Sequence, residues 1–203
     1  FALDVGKLAA KHNCAVAYGY PGRSGGLPYN SAVVVGRDGK VIANHRKRRL
    51  PNAYEKQWFQ TGSGMTFFML DGWKVALVIC YEVEFPETVR AAALQGAQLV
   101  IVSTALSNAW PVVARAVIPA RAFENGVFLS YANHAGTHNG VTYLGESCII
   151  GPDGRELARA GAGPRVIGAV LDPAEVTRAQ EKIPFLTDCI GLSITELKQE
   201  SAS

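Results

Sequence analysis

The stretch VALVICYEVEFPETVRAAALQGAQLVIVSTA, residues 75–105, decides how the rest of the chain is read. It opens on an unbroken apolar run and leaves that run at Cys80; two acidic residues and a proline soon follow. A cysteine that merely filled the core would sit inside the run. Cys80 sits at its exit, where a chain leaves a sheet and a side chain can face a cleft. VALVI has the composition of a buried strand, ETVRAAALQG of a helix ending on Gly96, and AQLVIVST of a second strand. Active sites of α/β folds lie at the carboxyl ends of strands, and a nucleophile on a strand-to-helix turn is exposed there. The backbone N–H groups that follow can then point toward an oxyanion. Position alone supports a buried structural cysteine equally well, because free Cys is among the most buried residue types.

Working outward, residues 2–12 place Leu3, Val5, Leu8 and Ala9 at helical spacing. CAVAYGY (14–20) predicts a buried strand, and PGRSGGLPYN (21–30) a loop by its Gly and Pro content. SAVVVGRDGKVIANHRK (31–47) predicts a hairpin across Asp38-Gly39, and TFFMLDGWKVALVIC (66–80) a second across Asp71-Gly72. A short helix is expected over 53–59 and a longer one over 111–125 despite Pro119. GVFLSYANHAG (126–136) predicts a strand and loop. YLGESCIIGPDGRELARA (143–160) and RVIGAVLD (165–172) predict a further antiparallel set, and residues 196–203 a flexible tail. Hairpins mixed with strand–helix–strand units indicate one α/β domain over residues 1–203 with a mixed sheet or sheets.

Composition narrows the function classes. With 203 residues, 48% hydrophobic and 18% charged, the chain can bury a large core as one domain. A net charge of +3 does not by itself imply a nucleic-acid or membrane partner. Its apolar runs are too short to span a bilayer, and no signal peptide is visible at the N-terminus. The four cysteines lie far apart with no CxxC pair, so they are expected to be reduced thiols of a cytoplasmic protein.

A thiol of ordinary pKa, about 8.5, is mostly protonated at neutral pH, so a nucleophilic cysteine needs a base or a cationic neighbour. HRKRRLPNAYEKQWFQTG (45–62) offers cations and one carboxylate; alone, it is a solvated hairpin end. Four basic residues in a row without interleaved aromatics do not make a nucleic-acid groove. The combination is more telling. ICYEVEFPETVR…GAQLVIVSTA, preceded by HRKRRLPNAYEKQWFQTG and followed by ARAFENGVFLSYAN and YLGESCIIGPDG, resembles the carbon–nitrogen hydrolase (nitrilase-like) superfamily over nearly the whole chain.

That resemblance implies a four-layer α-β-β-α sandwich and a Glu-Lys-Cys triad. Cys80 would be the nucleophile. Lys47 matches the family's lysine, although His45 stands where tyrosine is usual, and would stabilise the oxyanion beside the backbone N–H of Tyr81. Glu55 would support the lysine and the substrate, and Tyr81 and Ala105 would line the substrate site. Arg46, Arg48 and Arg49 are expected to be structural or solvated. The triad's glutamate lies in the family in a PE motif ahead of the helix matched by residues 1–12. The only PE here, Pro86-Glu87, belongs to the motif after the nucleophile. The sequence therefore resembles a family member without its first strands and its base, and impaired catalysis is expected of it. A base is worth about two to four orders of magnitude in rate.

The expected reaction is hydrolysis of a small amide through a thioester, with no cofactor and no metal, in a homodimer or larger assembly. The resemblance of CYE is to amidases and carbamoylases; nitrilases usually carry tryptophan at the position of Tyr81. N-carbamoyl amino-acid hydrolysis is the alternative, and it would want a cation for the substrate carboxylate. A non-catalytic member or fragment is the rival from another class. His134 and His138 in HAGTH lack a third metal ligand. A Cys–His hydrolase using one of them is a further enzyme alternative. Arg121 with Glu124, and Glu87 with Arg90, are expected to pair on helical turns. Cys14 and Cys148 are expected in the core, and Cys189 near the tail says little.

Overall fold

The computed structural model describes residues 2–192; the expected flexible tail at 196–203 lies outside the described residues. Helix α1 (Ala2–Lys11) leads into β1 (Val16–Ser24), β2 (Leu27–Val35) and β3 (Val41–Arg46), an antiparallel three-stranded sheet in that order. Helix α2 (Ala53–Trp58), β4 (Thr66–Leu70) and β5 (Trp73–Ile79) follow, then a 3-10 turn (Cys80–Glu84), α3 (Pro86–Leu94) and β6 (Leu99–Thr104). A π-helical turn (Val113–Val117) runs into α4 (Ile118–Phe123) and then β7 (Phe128–Asn133). The small hairpin of β8 (Ala135–His138) and β9 (Val141–Leu144) precedes β10 (Cys148–Ile150), β11 (Glu156–Arg159), α5 (Pro173–Lys182) and α6 (Phe185–Asp188). The second sheet has the order β11-β10-β7-β6-β5-β4. Its centre, β5-β6-β7, is parallel, and its flanks are antiparallel.

The unbroken apolar character of β5 is explained by burial on both faces. Val75, Leu77 and Ile79 pack against Ala32, Val34 and Ala43 of the three-stranded sheet. Ala76 and Val78 point the other way, into a core shared with Val89 and Ala92 of α3 and Ile118 of α4. Each Val, Leu or Ile among them, fully buried, stabilises the fold by about 1.5–3 kcal/mol, and each Ala by less. On β2, Val33 and Val35 alternate with Ala32 and Val34 and are also buried, on the outer face. Helix α1 contacts β2 and comes close at Gly6, where a Cβ would lie 2.6 Å from the Gly39 carbonyl oxygen. The layers run helix, sheet, sheet, helix, the expected four-layer α-β-β-α sandwich.

Several expectations are corrected, while the helix expected over 111–125 is borne out with one irregularity. Residues 21–30 are not a loop: β1 continues through Pro21 and turns into β2 across Gly25-Gly26, both at positive φ. A two-residue turn with both φ positive matches the twist of a hairpin, and an edge strand tolerates proline. Residues 165–172 form no strand, and Val166 and Val170 are exposed; with no partner edge, an apolar run has nothing to pair with. Residues 111–125 are helical, but with a π turn just before Pro119, where the missing N–H would break an ordinary register. Cys14 is exposed, whereas Cys148 is buried as expected. Helix α5 was not anticipated, although Asp172 caps it by accepting from the Ala174 N–H at 2.9 Å and Pro173 occupies its first turn.

Candidate active site

Cys80 lies one residue past the end of β5 and opens the 3-10 turn with φ of +47°. A left-handed conformation at a residue with a Cβ costs about 1–2 kcal/mol, so the surrounding bonds must impose it. They converge on Glu82. Its Oε2 accepts from the Ile79 N–H at 3.0 Å, and its Oε1 accepts from the Arg48 N–H and Nε, each at 3.1 Å. His45 Nε2 meets Oε2 at 2.9 Å, and His45 Nδ1 meets Thr66 Oγ1 at 3.0 Å. Burial alone would raise the Glu82 carboxyl; the bonds from His45, Ile79 and Arg48 outweigh it and hold the group below the usual carboxylate range. The far end of the turn is held by Arg121, which donates to the carbonyls of Val83 (3.2 Å) and Glu84 (2.7 Å) and pairs with Glu124. The expected Glu87–Arg90 pair is not formed, and Arg90 keeps a buried guanidinium nitrogen without a partner.

Lys47 follows β3 and is buried at 1% exposure. Its backbone is fixed from both sides, its N–H donating to the Asn30 carbonyl (2.8 Å) and its carbonyl accepting from the Gly62 N–H (2.9 Å). Gly62 cannot be larger, since a Cβ there would lie 2.1 Å from the Arg46 carbonyl oxygen. The Lys47 ammonium donates to both Glu55 oxygens at 2.8 Å, and Asn30 Nδ2 donates to Glu55 Oε2 at 3.2 Å. Glu55 stands in the first turn of α2, where Asn52 Oδ1 caps its N–H at 2.9 Å. An ammonium has three protons; with two on Glu55, one is left for an oxygen in the cleft.

These elements meet at the carboxyl ends of the three parallel strands. A cleft of about 700 Å³ is lined by Cys80, Lys47, Glu55, Ala105, Asn133 and His134 among others. A second cleft of about 500 Å³ shares Cys80, Glu55 and Ala105 and adds Tyr81, Glu84 and Trp110. The structure thus brings Cys80, Lys47, Glu55 and Ala105 together, with Tyr81 on the second side. As the second residue of the 3-10 turn, Tyr81 has an N–H with no acceptor inside that turn. Asn133 fixes the floor, its Oδ1 accepting from Leu106 N–H and its Nδ2 donating to the Gly145 carbonyl, both at 2.8 Å. His134 packs edge-on against Tyr143 at 4.5 Å between centroids and makes no hydrogen bond to Cys80. Among the described residues no group of three His, Cys, Asp or Glu could hold a metal ion.

Sequence reasoning missed Asn30, Asn133 and Glu84 as lining or support, while His134, considered as a partner for a catalytic cysteine, lines the first cleft. Glu84 is half-buried; burial raises its carboxyl, and the Lys47 ammonium works against that rise. Arg48, expected to be structural or solvated, is structural through Glu82, whereas Arg49 is exposed. Neither Glu55 nor Glu82 has an uncommitted carboxylate: the first is engaged by Lys47 and Asn30, the second by four donors or partners.

A strand-end cysteine on a strained turn thus shares a cleft with a buried lysine–glutamate pair in a four-layer sandwich, the arrangement of nitrilase-type folds. The family model for carbon-nitrogen hydrolase matches residues 3–181, and the chain belongs to that family. It is 36% identical over 189 residues to the hydrolase in the pqqF 5' region of Pseudomonas protegens, covering 92% of this chain and 66% of that protein. To the 2-oxoglutaramate amidase of Bacillus subtilis it is 30% identical over 188 residues, 90% of this chain and 71% of that one. Among solved structures, the amidase from Nesterenkonia sp. AN1 superposes with a TM-score of 0.83 at 33% identity, covering 98% of this chain and 72% of that one. That structure is of a glutamate-to-glutamine variant carrying the acetamide moiety of fluoroacetamide covalently added at its active-site cysteine. A cysteine-to-alanine variant of the same amidase, in complex with butyramide, matches with a TM-score of 0.80 at 32% identity, over 98% of this chain and 72% of that one. No helix among the described residues is long and apolar enough to cross a membrane.

Proposed function

We propose that this chain carries the nucleophile, the cation and the supporting carboxylate of an amidase that converts a small amide to an acid and ammonia. Cys80 Sγ attacks the carbonyl carbon, a C–S bond forms, and the carbonyl oxygen takes the electron pair. The Lys47 ammonium and the Tyr81 N–H stabilise that oxygen, as preorganised donors do best in a site poor in water. The C–N bond then breaks, ammonia leaves with the transferred proton, and water cleaves the thioester to free the acid and the thiol. Glu55 holds Lys47 in place, and Ala105 borders the substrate. The oxygens of Glu55 and Glu82 are engaged by other partners, so neither is assigned as the base that takes the thiol proton; the family resemblance gives that role to a further glutamate.

The observation that carries this reading is the position of Cys80, at positive φ on the end of β5 and in one cleft with the Lys47–Glu55 pair. The N-carbamoyl amino-acid alternative is less well supported, because no Arg lines either cleft that Cys80 shares and Lys47 is committed to Glu55. A cytoplasmic location, read from four free thiols, and a homodimeric or larger assembly belong to the same proposal. The test is butyramide hydrolysis by the protein that carries this chain: Cys80→Ala abolishes ammonia release and the acyl-enzyme seen by mass spectrometry. Unchanged turnover in that variant contradicts the reading.

A further inference from the structure

The second cleft holds a carboxylate that the proposed chemistry does not use. Glu84 closes the 3-10 turn that Cys80 opens, so its side chain is tied to the nucleophile by a rigid five-residue element. Arg121 clamps the Glu84 carbonyl at 2.7 Å, which fixes the backbone from which that side chain projects. The carboxylate itself makes no hydrogen bond or ion pair with any described residue. Lys47 is near enough to act on it electrostatically, but two of the ammonium's three protons go to Glu55.

The rest of the lining fits the same ligand chemistry. Glu55, the other carboxylate in this cleft, is engaged by Lys47 and Asn30, and no Lys, Arg or His lines the cleft itself beside Glu84. Tyr81 and Trp110 supply aromatic rings, and Trp110 is 61% exposed. An acceptor-only group beside aromatic faces suits a small cation, through a charge-assisted hydrogen bond and cation–π attraction. A substrate carboxylate there would face a like charge in a partly dehydrated site.

We propose that Glu84 determines specificity in this site and selects amides whose acyl chain carries a protonated amine. This deepens, and rests on, the reading of Cys80 as an amidase nucleophile. Three probes of similar length separate the possibilities: 4-aminobutanamide (cationic), pentanamide (neutral) and succinamate (anionic). For the protein that carries this chain, kcat/KM for 4-aminobutanamide exceeds that for pentanamide by about tenfold or more, and succinamate is the poorest. Glu84→Gln brings the cation-to-neutral ratio to within about threefold of unity.

A second readout does not need turnover: protection of Cys80 from fluoroacetamide by each probe, located by peptide mass. The same order of protection, lost in Glu84→Gln, supports the proposal. A wild-type ratio at or below one, or a ratio that Glu84→Gln leaves in place, overturns it. So does an equal loss for all three probes, which would make Glu84 a part of the reaction machinery instead. Absence of turnover with every probe counts against the amidase reading, while the protection order still decides the role of Glu84.

Discussion

Removing the Glu82 carboxylate is the perturbation whose size the structure fixes best. Glu82 is fully buried and gathers the Ile79 N–H, the Arg48 N–H and Nε, and His45. Glu82→Ala leaves the buried Ile79 N–H, the part-buried Arg48 N–H and His45 without that partner. A lost buried partner costs about 1–3 kcal/mol, and breaking a buried ion pair about 3–5 kcal/mol. Arg48, 25% exposed at its side chain, recovers part of its loss from water, so about 3–5 kcal/mol is expected in all. Glu82→Gln should cost less. Its oxygen can keep the two Arg48 bonds, and its NH₂ can donate to His45 Nε2 if Nδ1–H donates to Thr66, which orphans only the Ile79 N–H. About 1–3 kcal/mol follows. Equilibrium urea unfolding measures both, and the rate of Cys80 alkylation reports whether the turn still holds its φ. Acid supplies a further check. Because the folded carboxyl sits below its ordinary value of 4.5, its contribution is present above that value and is lost as pH falls through the lower folded one. The wild type should lose stability on acidification in that window by more than Glu82→Ala does. Equal, small effects of Ala and Gln, each under about 1 kcal/mol, would refute the argument that Glu82 imposes the turn.

Lys47→Ala should slow thioester formation by more than about a hundredfold, the scale of a lost oxyanion donor, in single-turnover mass spectrometry. Arg49→Ala, exposed on the same basic run, should leave the rate near wild type, and equal effects would reduce Lys47 to a surface charge. Gly62→Ala forces a Cβ onto the Arg46 carbonyl and displaces the segment that pins Lys47. It should cost about 1–3 kcal/mol of stability and lower kcat together, measured by thermal melting and by ammonia release.

The central parallel strands and the order of motifs around Cys80 were legible because two-sided burial writes itself as a continuous apolar run. Cys80, Lys47 and Glu55 were legible as a set only through motif order, since a basic run and a strand-end cysteine each have an ordinary structural explanation. What the sequence hides is which loops two sheets bring to one cleft. Asn30, Glu84 and the adjacent pair Asn133-His134 come from three different elements or their ends, and no local spacing links the three. Cys14 shows another limit: it follows a helix end, where exposure depends on how the chain turns rather than on its apolar neighbours. The strand expected at 165–172 failed for the reverse reason, because a strand needs a partner that local composition does not reveal. The Gly25-Gly26 turn and the cap of α5 were there to be read in the sequence.

The nucleophile claim has an internal control in Cys14, which is more exposed than Cys80. Fluoroacetamide alkylates ordinary thiols poorly because fluoride is a poor leaving group; a nucleophile held in an amide-binding cleft forms the C–S bond as the C–F bond breaks. Incubating the protein with fluoroacetamide and mapping the adduct by peptide mass spectrometry compares the two thiols in one sample. The account predicts an acetamide adduct on Cys80 and none on Cys14 or on buried Cys148, whose thiol burial pushes up to about 11. Labelling that tracks exposure, with Cys14 modified first and Cys80 no faster than a model thiol, would contradict it.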